Sequence, residues 1–90
     1  MAGYKELIEA VLKREMGILG PEKTLAVAKE AGLKTTEKGE VLNYTVNKED
    51  LGRLMEKFNE KYGLVTVIGC KVALMRMARE YNLELPAILQ

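Results

Sequence analysis

Residues 64–81 carry more apolar surface than a single packing face can use, and this constrains the whole ninety-residue chain. Val67, Cys70, Leu74, Met77 and Tyr81 recur at alternating spacings of three and four, the pattern of a helix packed along one seam. Val65, Ile68, Val72 and Met75 repeat that spacing on another face. Between the two seams runs a row of small residues, Thr66, Gly69 and Ala73, which would let another backbone approach closely. A helix that is apolar most of the way round must be covered on most sides. The pattern therefore predicts a helix over 64–81 with one seam in the core. The second seam is covered either by the rest of the chain or by a second copy of it. A chain of this length buries only about 60–65% of its unfolded surface, so the second copy is the favoured cover. The expected interface is Val65, Ile68, Gly69, Val72 and Met75.

Three further helices follow from the same periodicity. Tyr4, Leu7, Ile8, Val11 and Leu12 form a stripe with Lys5, Glu6, Glu9 and Lys13 opposite. Gly17 and Gly20 are expected to end this helix, and Pro21 starts the next from its first turn. The second helix is expected to reach about Ala31 and stop at Gly32, where a left-handed cap costs nothing without a β-carbon. Asn47 followed by Asp50 reads as a capping box, and Leu51, Leu54, Met55, Phe58 and Tyr62 then share one face up to Gly63. Asn82 is a suitable left-handed stop for the fourth helix. The apolar tail from Leu83, with Pro86 starting a last turn, is expected to dock.

Between the second and third helices the period shortens towards two. Leu42, Tyr44 and Val46 would share a face, and Glu37-Lys38-Gly39-Glu40 would be the turn between two short strands. A lone hairpin is marginal in water, so it should pack on a helix; without such cover the segment would be an irregular loop. There is also an internal echo. Ala28-Lys29-Glu30-Ala31-Gly32-Leu33 resembles Ala78-Arg79-Glu80-Tyr81-Asn82-Leu83, and Met16-Gly17-Ile18-Leu19 resembles Tyr62-Gly63-Leu64-Val65, four residues out of step with the first match. Two helical hairpins related by duplication, or shared helix-capping grammar, would each produce it.

Composition narrows the chemistry. The chain has no His, Ser or Trp, and its one cysteine, Cys70, sits on an apolar seam. Ser-His-Asp triads, Cys-His dyads and His-containing zinc sites are thereby excluded. Cys70 reads as a small buried hydrophobe, and Met16, Met55, Met75 and Met77 as adaptable core fillers. Glu56, Glu60 and neighbouring lysines have ion-pair spacing on a solvated face, and no carboxylate is singled out by an apolar setting with a partner. No catalytic, cofactor or metal site is expected, and the chain is read as non-enzymatic. A lone cysteine points to a reducing compartment, and no segment reads as a signal peptide or a membrane span. A cytoplasmic location is expected. The Lys- and Glu-rich, Gln-poor balance resembles that of thermophile proteins.

Three segments bear a partial likeness to ligand-binding motifs. Gly17 to Thr24 places Glu22 where a phosphate-binding loop needs glycine before its lysine, so a Pro-started helix is the simpler reading. The order helix, Gly17-Ile18-Leu19-Gly20, helix and two strands is similar to the KH nucleic-acid module, whose GXXG loop clamps a nucleotide backbone. The two central residues are apolar here, and no strand precedes the first helix. Thr24 to Leu33 resembles the first half of a helix-turn-helix, but strand-like sequence follows where a recognition helix belongs. With 14 basic against 13 acidic residues, the chain lacks the cationic excess that phosphate contacts need.

The expected architecture is a mainly α, four-helix single domain over 1–90, made of two helical hairpins with a small β-hairpin between them. The expected function is a protein–protein interaction or regulatory module acting as a homodimer through its fourth helix, without cofactors and without a membrane. The alternative is a KH-like or helix-turn-helix-like nucleic-acid-binding domain using the Gly17–Lys23 junction with Lys13 and Arg14. A small-molecule site in a Met-lined groove is a third option.

Overall fold

The computed structural model describes residues 3–90. It contains helices α1 (Tyr4–Leu19), α2 (Pro21–Glu30), α3 (Lys48–Tyr62) and α4 (Leu64–Tyr81), followed by a single 3₁₀ turn at Ala87–Leu89. Two helical hairpins, α1 with α2 and α3 with α4, pack against each other. Their shared core takes Leu7, Ile8, Val11 and Leu12 from α1, Val27 and Ala28 from α2, Leu51, Leu54, Met55 and Phe58 from α3, and Val67, Cys70 and Leu74 from α4. These are the residues that the 3.6-residue period places on one face of each helix.

Each helix ends for a local reason. Gly20 and Gly63 join their helix pairs with nearly the same backbone, φ 92° and ψ 156° against φ 88° and ψ 169°. Each donates its N–H four residues back, Gly20 to Met16 O and Gly63 to Asn59 O. Gly17 is not a break: α1 continues through it to Leu19. The equivalent of Gly63 is therefore Gly20, and the Met16–Leu19 echo was read three residues out of register. The other echo has a shared geometry. Leu33 N–H reaches Ala28 O and Leu83 N–H reaches Ala78 O, around the positive-φ residues Gly32 and Asn82. Both are the same six-to-one helix stop, so capping grammar accounts for the likeness.

At the start of α3, Asn47 Oδ1 accepts from Asp50 N–H and Asp50 Oδ2 accepts from Asn47 N–H, the reciprocal cap expected from the spacing. The tail docks as expected. Leu89 and Pro86 are buried, and Pro86 closes against the backbone of Gly52, where an added β-carbon would lie 3.1 Å away. Tyr4 OH donates to Glu84 O at 2.6 Å and Lys48 pairs with the Glu84 carboxylate, tying the tail to the starts of α1 and α3.

The β-hairpin expected between α2 and α3 does not form. Among the described residues there is no strand, only one antiparallel bridge between Thr35 and Val41. Two backbone bonds, Thr36 N–H to Glu40 O and Leu42 N–H to Lys34 O, flank this bridge, and side chains satisfy other backbone groups that a longer ladder would have paired. Glu9, from α1, accepts Val41 N–H at 2.8 Å, Asn43 Oδ1 accepts Lys34 N–H at 2.7 Å, and Thr36 Oγ1 accepts from both Lys38 and Glu40. The turn at Glu37–Gly39 is present, and Gly39 lies directly on Met16 and Leu12. Leu33 and Val41 enter the core and Val46 packs half-buried against it, while Leu42 and Tyr44 stand in solvent. The alternation in the sequence therefore does not mark a buried sheet face.

Candidate interaction surface

The position of α4 decides how its two seams are used. Val67, Cys70 and Leu74 are buried against α1 and α3, and Met77 and Tyr81 extend that seam half-buried. About 150° round the helix, the second seam faces outward. Val65 is 72% exposed, Ile68 60%, Val72 68% and Met75 42%. Leu64 at the start of α4 and Ile18 on the last turn of α1 are also exposed, and Ile18 shares a cavity with Val65 and Ile68. The chain thus leaves a stripe of large apolar side chains uncovered along its longest helix from Leu64 to Met75.

The small-residue row behaves differently from expectation. Thr66 is buried and donates its hydroxyl to Gly63 O at 2.8 Å, closing the first turn of α4. Ala73 is exposed. Gly69 is half-buried because the Arg14 guanidinium lies across it, with Nη2 2.9 Å from where a β-carbon would stand. Gly69 accommodates a cation from α1, so it stands beside the exposed stripe with its open space already used.

Beneath this edge of the stripe is a cavity of about 230 Å³ between α1 and α4, walled by Arg14, Glu15, Ile18, Val65, Thr66, Ile68 and Gly69. Glu15 is 1% exposed. Its Oε1 accepts a long contact of 3.5 Å from Cys70 Sγ, and its Oε2 has no hydrogen-bond partner. Burying a carboxylate oxygen without a partner costs free energy that the fold must recover elsewhere. Arg14, next in sequence, does not relieve it. Adjacent helical positions diverge by about 100°, and Arg14 forms no ion pair among the described residues.

Cys70 faces the same carboxylate from α4. Burial, the negative charge of Glu15 and the hydrogen bond to it push the thiol up to about 12, with Arg14 opposing weakly. A thiol so disposed is protonated and unreactive at neutral pH. This agrees with reading Cys70 as packing rather than chemistry.

Of the expected interface residues, Val65, Ile68, Val72 and Met75 lie together on the outward face and Gly69 sits at its edge under Arg14. Glu15 was not anticipated. A signal for it exists, because Ile8, Leu12, Glu15 and Leu19 fall at i, i+4, i+7 and i+11, so Glu15 continues the buried stripe of α1. The methionines form no common groove: Met55 is in the core, Met16 is under Gly39, Met77 flanks the inner seam and Met75 the outer one. No helix among the described residues is long and apolar enough to cross a membrane. Comparisons of the chain with protein-family models, with curated proteins and with solved structures find no match.

Proposed function

We propose that this chain is a non-catalytic interaction module that associates with a second copy of itself through the outward face of α4. The observation that carries the reading is the uncovered stripe Val65, Ile68, Val72 and Met75 on a helix whose other seam packs in the core. Covering what remains exposed of these four side chains is worth roughly 4–7 kcal/mol per copy. Counted for both copies, that offsets an association cost of about 4–15 kcal/mol. The two terms are of similar size, which favours a reversible dimer rather than an obligate one. A two-fold contact of helix on helix is the simplest closed arrangement for a single self-complementary stripe.

The nucleic-acid reading has less support. Gly17, Ile18 and Leu19 lie within α1, so no open loop exists there to clamp a phosphate backbone. The segment after α2 is irregular where a recognition helix would stand.

Sedimentation velocity or light scattering from about 1 to several hundred micromolar should show a concentration-dependent rise from monomer to dimer mass. Ile68→Glu should hold the protein at monomer mass with unchanged helical circular dichroism. A wild-type chain that stays monomeric throughout this range would sink the proposal.

A further inference from the structure

We infer that the two copies pair antiparallel about a two-fold axis between Ile68 and Val72, and that Arg76 of the partner subunit enters the α1–α4 cavity to meet the unpaired carboxylate of Glu15. This rests on the self-association reading and adds its register and its polar lock.

The stripe is palindromic. Val65, Ile68, Val72 and Met75 are separated by three, four and three residues, so reversing the helix reproduces the pattern. In the antiparallel register centred between Ile68 and Val72, Val65 faces Met75 of the partner subunit and Ile68 faces the partner's Val72. Shifting this register by a turn in either direction leaves large apolar side chains opposite solvent or charge. A parallel pairing would also match the apolar residues, but it would set Arg76 beside Arg76 of the partner subunit, and likewise Arg79.

Charge distinguishes the two. One end of the stripe holds the buried acid Glu15, with Arg14 at the cavity rim, and the other end holds two bases. Glu15 Oε2, buried and unpartnered, lies beside Val65 and Ile68. Arg76 and Arg79 flank Val72 and Met75 around a shallow depression of about 240 Å³, and neither takes part in an ion pair among the described residues. Antiparallel pairing lays the basic end of each copy over the cavity that holds the other's unpartnered Glu15.

The flank and the height also agree. Arg76 and Gly69 are seven residues apart and so point within about 20° of each other round the helix. Arg76 therefore lies on the side of the stripe where the cavity opens. A two-fold axis perpendicular to the paired helices keeps that flank of one copy against the same flank of the other. In the 65-to-75 register, the Cα of Arg76 of the partner subunit lies level with Leu64. Long helical side chains lean towards their own N-terminus, which carries its guanidinium towards the level of Val65 to Ile68, over the cavity. Its aliphatic stem can lie on Ile18 and Val65 while the planar head reaches a carboxylate, the combination for which arginine is suited. Arg14 remains at the rim over Gly69.

Cross-linking and mass measurement test the register and the lock on the full chain. In a Cys70→Ala background, Val65→Cys and Met75→Cys proteins mixed under mild oxidation should give a disulfide-linked dimer, and Val65→Cys alone should not. Sedimentation equilibrium should show dimer dissociation at least about tenfold weaker for Arg76→Ala, and similarly weaker for Glu15→Gln. The double variant should be little worse than either single one, as expected for two groups in one contact. Ready cross-linking of Val65→Cys alone, or an Arg76→Ala dimer as tight as wild type, would overturn this pairing while leaving self-association standing. A wild-type chain that is monomeric at all concentrations would overturn both.

Discussion

Two side chains facing each other across the α1–α4 contact, Glu15 and Cys70, are the most unusual residues of this core. Glu15 occupies a position that the period of α1 assigns to an apolar side chain, and one of its oxygens has no partner. Replacing it with an apolar residue of similar shape removes a desolvation cost. In a Val72→Glu background that keeps the protein monomeric, Glu15→Met should raise the free energy of unfolding in urea by about 1–3 kcal/mol. A loss of stability there would mean that the carboxylate is satisfied within the monomer. For Cys70 the sign is set by the neutral thiol. The folded chain holds the proton up to about pH 12, whereas an exposed thiol releases it near pH 8.5. Between these values the native state binds more protons than the unfolded one, so the stabilising contribution is intact below about pH 8.5 and is lost as pH rises towards 12. Lys48 and Lys61, raised by their ion pairs with Glu84 and Glu30, lose their contributions in the alkaline range as well. The thiol is therefore isolated by comparison: Cys70→Ala should be less stable near neutrality through lost packing, yet decline less steeply between pH 9 and 11. Parallel slopes would contradict the assignment.

At the scale of elements, glycine position separates a helix interior from a junction. Gly17 lies inside α1 with nothing within 4 Å of an added β-carbon, whereas Gly20 and Gly63 hold φ near +90° at the corners between paired helices. Gly17→Ala should stabilise the fold by about 0.5–1 kcal/mol by restricting the unfolded chain. Gly63→Ala should destabilise it by about 1–3 kcal/mol because its backbone region is nearly closed to other residues. Thermal or urea unfolding of the two variants checks both signs. These elements were largely legible in the sequence. The helices announce themselves through stripes such as Leu51, Leu54, Met55 and Phe58, and through local caps such as Asn47 with Asp50, where cause and effect lie within one turn. The segment from Leu33 to Val46 was not legible, because its backbone is partly held by Glu9, which lies thirty-two residues before the Val41 amide it accepts from. Alternation alone does not report such a partner. The outward seam of α4 could be read from spacing, and the period of α1 also places Glu15 on its buried face, although spacing does not show that one of its oxygens lacks a partner.

At the scale of the whole molecule, the question is whether the proposed second copy would complete the fold or meet one already complete. The Cα radius of gyration is 11.6 Å, against about 12 Å expected for a folded chain of this length. The inner seam of α4, the faces of α1 to α3 and the docked tail close the core within one chain. Folding and pairing are then separable, unlike in an intertwined dimer whose monomer is unfolded. A folded monomer in equilibrium with a dimer has a melting temperature that rises with protein concentration, because association removes native monomer by mass action. For a dissociation constant in the micromolar range, raising the concentration from about 5 to 500 μM should add roughly 1–1.4 kcal/mol of apparent stability per chain. That corresponds to about 4–11 °C for a domain of this size. Ile68→Glu should abolish the dependence and melt, at every concentration, close to the wild type at high dilution, since Ile68 is already mostly in solvent in the single chain. Calorimetry across that range decides the matter. A wild-type melting temperature that does not move with concentration would mean that the outward face of α4 stays in water, and an unfolded Ile68→Glu chain would mean that the stripe belongs to the monomer's own core.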